Sequence, residues 1–197
     1  MLELEKIKQA TLYLSSSMEQ LYFTKYLKLV YYLDFLSVLE TGKPVTNDTY
    51  YRLSLGPVPT FIKDQMNLLR VDCKTQEKEL FSSKDDNLFM SIFDGTISFT
   101  SDRIGFLITP VINVDVNFNC LSDYEKKLLE DIVEEFKEKT AKDIVDQTHQ
   151  EAPYLQTSPN DVIDYKLAFY LDRNKILPKR TYPLNIEVSQ MEYSERM

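Results

Sequence analysis

The chain has 197 residues, of which 43% are apolar and 12% aromatic, enough for the core of one domain and unlike a disordered composition. Its formal net charge of -8 argues against broad contact with nucleic acid, because binding phosphate backbones requires clustered Lys and Arg. The acidity is compatible with a basic protein partner, but it is also common on soluble proteins in general.

The cysteines and the first residues both favour a soluble protein of the cytoplasm. Cys73 and Cys120 are the only cysteines, and neither has a metal-binding spacing, so we expect reduced side chains and no disulfide. Residues 1–6 alternate charge with leucine and lack the apolar run of a signal peptide or a membrane span. We therefore expect a cytoplasmic protein without a membrane partner.

Two helices are predicted at the start of the chain. Apolar or small side chains at three- and four-residue steps predict the first over residues 3–18. Thr24 is the predicted cap of the second, which reaches about Leu39 and stops at Gly42.

The second helix is apolar around most of its circumference, which is typical of a buried central helix. Lys25, Lys28 and Tyr32 form a polar strip on one face, and Asp34 lies apart from it. We expect this strip to reach water or a partner. A structural role, with the charged heads of Lys25, Lys28 and Asp34 extending from a buried helix, is the open alternative.

Residues 45–55 mix β-branched and aromatic side chains and fit either a short helix or an extended segment. Residues 56–59, Gly-Pro-Val-Pro, predict a rigid corner in which Gly56 takes a positive φ. Pro59 suits the first turn of a further helix that reaches about Leu69.

A small antiparallel sheet is predicted next. Residues 88–93 and 96–100 are strand-like runs separated by Asp94-Gly95, a favoured pair for a hairpin turn. Residues 104–109 are predicted to add a third strand, which Pro110 closes or leaves at an edge.

Two capping boxes predict the next helices. Ser122 with Glu125 opens a helix to about Lys139, and Thr140 with Asp143 opens a shorter one through Thr148. Ser158-Pro159 is predicted to open another helix, whose inward residues are Ile163, Leu167, Ala168 and Leu171.

These elements predict an α+β fold: a mainly helical single domain with a buried central helix and a small antiparallel sheet. We assign residues 1–176 to the domain and residues 177–197 to a C-terminal extension, because the tail has weak periodicity and scattered charge.

The sequence contains little that could support catalysis. Its four glycines are too dispersed for a phosphate-binding loop, and His149 is the only histidine, with no nucleophile motif beside it. One imidazole with carboxylates is a weak set of ligands for a transition metal, so His149 is interpreted as tying one helix to the next segment. We predict no catalytic residue, no metal and no cofactor.

Five short segments, in order, resemble the Panacea domain of SocA-like antitoxins. The similarity extends over about residues 5–154, and Tyr154 stands where the family usually has Trp. The segments are residues 23–34, 42–45, 55–59, 121–122 and 148–154.

This resemblance implies the antitoxin component of a bacterial or phage toxin-antitoxin system, which neutralises a cognate protein toxin by direct binding and is not an enzyme. It also leaves open a proteolytic adaptor that delivers the toxin to a protease. A small enzyme with a pocket around Lys25, Lys28, Tyr32 and His149 is the alternative from another class, and self-association stays open. The candidate partner-binding residues are Lys25, Lys28, Tyr32, Asp34 and His149.

Overall fold

The structure is a computed structural model that describes residues 1–74, 92–93, 96–110 and 118–179. The prediction of a mainly helical α+β domain with small antiparallel sheets is confirmed. The helices are α1 (Leu4–Ser17), α2 (Phe23–Thr41), α3 (Thr60–Lys74), α4 (Asp123–Phe136), α5 (Ala141–Thr148), α6 (Ala152–Leu155) and α7 (Arg173–Ile176). The strands are β1 (Leu21–Tyr22), β2 (Tyr50–Leu53), β3 (Gly56–Pro59), β4 (Ile97–Ser101) and β5 (Phe106–Pro110), and two 3-10 helices span Phe118–Cys120 and Tyr165–Tyr170.

Helix α2 is the buried central helix that the sequence predicted. All its residues are buried except two at its start and two near its end, because helices, strands and the second 3-10 helix pack around it. Gly42 ends it in the left-handed conformation, as expected. The predicted cap at Thr24 is wrong: the helix begins at Phe23, directly after β1, and no side chain caps it.

Residues 50–59 form a hairpin, which settles the choice left open for residues 45–55. Strand β2 pairs antiparallel with β3, and Gly56 has the expected positive φ, +99°. Pro59 ends β3, so the first helical residue is Thr60 and not the proline. Asp48 satisfies the start of α3, since its carboxylate accepts from the backbone N–H groups of the second and third helical residues at 3.0 Å each.

The three-stranded sheet has the order β1-β5-β4. Its hairpin turn lies at residues 102–105, where the Asp102 carboxylate accepts from the backbone of Ile104 and Gly105. The strand predicted over residues 88–93 is wrong at Ile92 and Phe93, which are helical; residues 88–91 and the turn predicted at Asp94-Gly95 lie outside the described residues. A short apolar run fits a buried helix as well as a strand.

Both predicted capping boxes are present, at Ser122 with Glu125 and at Thr140 with Asp143. The helix predicted to open at Ser158-Pro159 is wrong. Residues 160–163 instead run beside β2, with backbone hydrogen bonds from Arg52 to Asp161, from Asn160 to Arg52 and from Ile163 to Tyr50. Of the residues expected to point inward, Ile163, Ala168 and Leu171 are buried and Leu167 is half-buried.

Within the described ranges, no helix is both long enough and apolar enough to cross a membrane. The domain boundary predicted after residue 176 stays a prediction, and residues 180–197 lie outside the described part of the chain.

Candidate functional site

Two of the three side chains in the polar strip of α2, those of Lys28 and Tyr32, are buried, so the expectation that the strip reaches water is wrong for these two. Lys25 is 7% exposed, Lys28 is 1% exposed and Tyr32 is fully buried. The two ammonium groups donate to backbone carbonyls, Lys25 to Lys137 at 2.8 Å and Lys28 to Pro57 at 2.5 Å. Both lysine heads therefore bind other elements of the same chain.

Lys28 fixes the hairpin of β2 and β3 against α2. Burial lowers the pKa of its amino group to about 7. Gly56 lies against this group and against Thr148, the last residue of α5, so closely that only a hydrogen fits where a side chain would begin. Helix α2, the hairpin and the end of α5 therefore meet at one point. We call this point the α2 seam and define it by Lys28, Gly56, Thr148 and Glu151.

Replacing Gly56 with alanine is expected to lower the free energy of unfolding by about 2 kcal/mol. The left-handed backbone disfavours any side chain, and the new Cβ would lie 2.7 Å from Thr148 Oγ1 and 3.1 Å from Lys28 Nζ. Urea unfolding measures the change. The control is Gly105→Ala, whose Cβ would meet nothing closer than Tyr22 Cδ1 at 3.4 Å; an equal loss in both variants would contradict the account of the seam.

Glu151 joins the seam to two tyrosines of α2. The hydroxyl groups of Tyr31 and Tyr32 donate to its two carboxylate oxygens at 2.8 and 2.9 Å. Burial raises the pKa of Glu151 to about 7, and the hydrogen bonds oppose this rise. Glu151 was not among the predicted site residues, although the segment of residues 148–154 that supports the family resemblance contains it.

Asp34 holds a second buried network on the other side of α2. Its carboxylate accepts from the backbone N–H and the hydroxyl of Thr46, from Tyr50 at 2.9 Å and from Tyr165 at 3.1 Å. Burial raises the pKa of Asp34 to about 6, again against the effect of its hydrogen bonds. Asp34 thus ties α2 to the loop before β2 and to the 3-10 helix Tyr165–Tyr170.

Three side chains form a stack at the solvent side of the seam. The Arg52 guanidinium lies 4.3 Å from the centre of the Tyr154 ring, and the ring of His149 stacks on Tyr154 at 4.2 Å between centres. All three are half-buried. Burial, and then the nearby Lys28, lower the pKa of His149, and its Nε2 has no hydrogen-bond partner among the described residues.

Two exposed leucines lie close to members of this stack along the chain. Leu55, at the tip of the hairpin, is 54% exposed, and Leu155, beside Tyr154, is 60% exposed. The hairpin tip lies next to the stack because Gly56 is in close contact with Thr148. Gly56 directly follows Leu55, and Thr148 directly precedes His149. We call this surface the outer face and define it by Arg52, Leu55, His149, Tyr154 and Leu155.

The structure does not bring the five predicted site residues together on a surface. Lys28, Tyr32 and Asp34 are internal, and only His149 lies on the outer face. Lys25 lines a separate groove that does not include Lys28, Tyr32 or His149, so the four residues of the enzyme hypothesis do not share one open pocket. Among the described residues, no group of three or more His, Cys, Asp or Glu side chains could hold a metal ion.

Comparison with known proteins adds one finding. A family model described as "Antitoxin SocA-like, Panacea domain" matches residues 27–154, more than half of the chain. No curated protein and no solved structure gives a significant match. The matched range contains most of α2, the hairpin, the α2 seam and all of the outer face except Leu155.

Proposed function

The chain belongs to the SocA-like antitoxin family with a Panacea domain, and from this membership we propose that it neutralises a cognate protein toxin by direct binding through the outer face. The observation that carries the proposal is a difference in exposure on the two sides of the seam. On the inner side, the side chains of Lys28 and Tyr32 are buried within the chain. On the outer side, those of Arg52, Leu55 and Tyr154 are available to a partner.

The composition of the outer face suits protein recognition. Tyr and Arg are enriched among the residues that contribute most to binding, and exposed leucines supply apolar area. The stack already fixes Arg52 and Tyr154 in place, so less side-chain freedom is lost when a partner binds. The net charge of -8 would favour the approach of a basic toxin.

The predicted site residues take two different roles in this proposal. His149 contacts the toxin together with Tyr154, on which it stacks. Lys28, Tyr32 and Asp34 position the outer face from below, because each binds an element other than α2. Their replacement would weaken toxin binding only to the extent that it disturbs the fold.

Co-expression with the product of the adjacent gene tests the proposal. Wild-type protein restores growth and forms a complex on a sizing column, whereas Tyr154→Ala and Leu55→Asp weaken binding at least tenfold, since each removes a central contact. Leu55→Asp changes an exposed side chain, so it separates lost binding from lost folding. Tyr170→Ala is the matched control, because Tyr170 is 68% exposed and lies outside the outer face.

Absence of both growth rescue and a complex for the wild-type protein would refute the proposal. Delivery of the toxin to a protease stays an alternative prediction. It requires the toxin to disappear faster when the antitoxin is present, and an unchanged toxin half-life would contradict it.

A further inference from the structure

An open groove of about 740 Å³ lies between the start of α2 and residues 137–141, which follow α4. The end of α1 and the turn between β4 and β5 complete its walls. Ile104, in that turn, is 76% exposed, and Phe23 packs edge-on against Phe106 with ring centres 6.2 Å apart. The groove therefore has an apolar wall that a further chain segment can cover.

The polar lining of the groove carries both signs of charge. Its charged members are Lys25, Lys137, Lys139, Glu19 and Glu138. The three lysines already have partners within the chain, because the first donates to a backbone carbonyl and the other two form salt bridges with α4. A strongly charged ligand of either sign would meet like charges here, so the lining favours a segment without charged side chains.

The tail of the chain contains a segment of this kind. Arg180 and Glu187 flank six uncharged residues. The tail as a whole has weak periodicity, but apolar side chains occupy every second position of residues 182–188: Tyr182, Leu184, Ile186 and Val188. In an extended chain these four side chains lie on one face and the polar ones on the other. We call residues 182–188 the tail segment; it lies outside the described part of the chain.

The described chain is anchored within reach of the groove. Arg173 donates to the carbonyl of Leu177 and to Asp131 of α4, so Leu177, which is 1% exposed, is held beside α4. Lys137, on the groove wall, lies roughly 9 Å beyond Asp131 along this helix. The five residues from Leu177 to Tyr182 span up to about 17 Å when extended, so the tail segment can reach the groove.

The last described residues also lead towards the groove. The hydrogen bond and the charge of Lys137 lower the pKa of the Glu134 carboxyl most, and the nearby Lys179 lowers it further. Glu134 lies between Asp131 and Lys137 on α4, so the chain advances towards the groove from Leu177 to Lys179. The side chain of Lys179 is exposed, which leaves the following residues on the surface of the domain.

We propose that the tail segment binds in the groove of the same chain, with the apolar face of residues 182–188 against the wall formed by Phe23, Ile104 and Phe106. This inference goes beyond the proposed function, because it concerns a contact within the chain and requires no toxin. The short connection from Leu177 holds the segment near the groove at high effective concentration, so a modest contact is enough to keep it bound.

Hydrogen exchange of the full chain tests this contact. We expect the amides of residues 184–188 to exchange at least about tenfold more slowly than in a synthetic peptide of residues 180–197. Ile104→Asp removes this protection, because it places a charge in the apolar wall. Leu55→Asp is the matched control and keeps the protection, since Leu55 is also an exposed apolar residue, 54% exposed, but lies outside the groove.

Variants of the tail segment test which of its faces binds. Ile186→Asp places a charge on the apolar face and should speed exchange at residues 104–106 and 137–141 at least about threefold. Asn185→Asp is the matched control, because it adds the same charge to the opposite face, and it should leave these amides unchanged. Urea unfolding of Ile104→Asp shows whether that variant is folded, and Ile186→Asp decides the question if it is not.

Three results overturn the inference. The first is exchange of the tail amides at the rate of the free peptide, or protection that survives Ile104→Asp or Ile186→Asp. The second is protection that rises with protein concentration together with a dimer on a sizing column, which would place the segment in the groove of a second copy. The third is protection that appears only after the proposed toxin is added, which would assign the segment to the toxin.

Discussion

Replacing Arg173 with methionine is expected to lower the free energy of unfolding by about 3 to 5 kcal/mol, the largest loss among the changes considered for this chain. The Arg173 side chain is 6% exposed, and its Nε lies 2.8 Å from Glu40 and its Nη2 3.0 Å from Asp131. It also donates to the carbonyl of Leu177. Methionine keeps much of the volume but leaves two buried carboxylates without this cation.

Urea unfolding with matched variants checks this prediction. Adding Glu40→Gln and Asp131→Asn to Arg173→Met should recover part of the loss, because the two buried negative charges that lost Arg173 are removed. Lys142→Met disrupts the exposed pair with Asp146 and should change the free energy of unfolding by less than about 0.5 kcal/mol. A similarly small change for Arg173→Met would show that the buried ion pairs contribute little.

Replacing Asp34 with alanine is expected to lower the free energy of unfolding by about 3 kcal/mol, because Thr46, Tyr50 and Tyr165 lose a buried acceptor. Asp34→Asn retains an acceptor and should lose less. Asp161→Ala, at an exposed position, is the control. Thermal and urea unfolding measure the loss in free energy of unfolding. The affinity of the folded fraction for the proposed toxin shows whether Asp34 has a structural or a partner-binding role.

The same experiment decides between the two roles that the sequence allowed for Asp34. A structural role predicts that the folded fraction of Asp34→Ala binds the toxin with wild-type affinity. Wild-type stability combined with lost toxin binding would instead assign Asp34 to the partner interface and contradict the placement of that interface on the outer face.

Local sequence patterns correctly predicted the features that depend on residues close to one another in the chain. The apolar circumference of α2, the left-handed Gly42 and the two capping boxes are all observed. The start of α2 was missed because β1 leads directly into the helix, so Thr24 is not in a capping position. The helix predicted at Ser158 was missed because residues 158–161 form a turn, in which Asn160 is left-handed, and Val162 then pairs antiparallel with Tyr51 of β2.

The candidate site was harder to predict because its contacts are distant in the sequence. Periodicity placed Lys25, Lys28 and Tyr32 on one face of α2, but it could not indicate that Lys137, Pro57 and Glu151 cover that face. The stack could not be predicted for the same reason, since Arg52 and Tyr154 lie on separate elements. Only the segment of residues 148–154 drew attention to part of it, through the family resemblance.

Hydrogen exchange of the protein, alone and with the proposed toxin, tests whether the outer face is the binding surface. If the outer face binds the toxin, the amides of residues 52–56 and 149–155 exchange more slowly in the complex, because the partner excludes water from them. Protection confined to other parts of the chain, with these two segments unchanged, would contradict the claim.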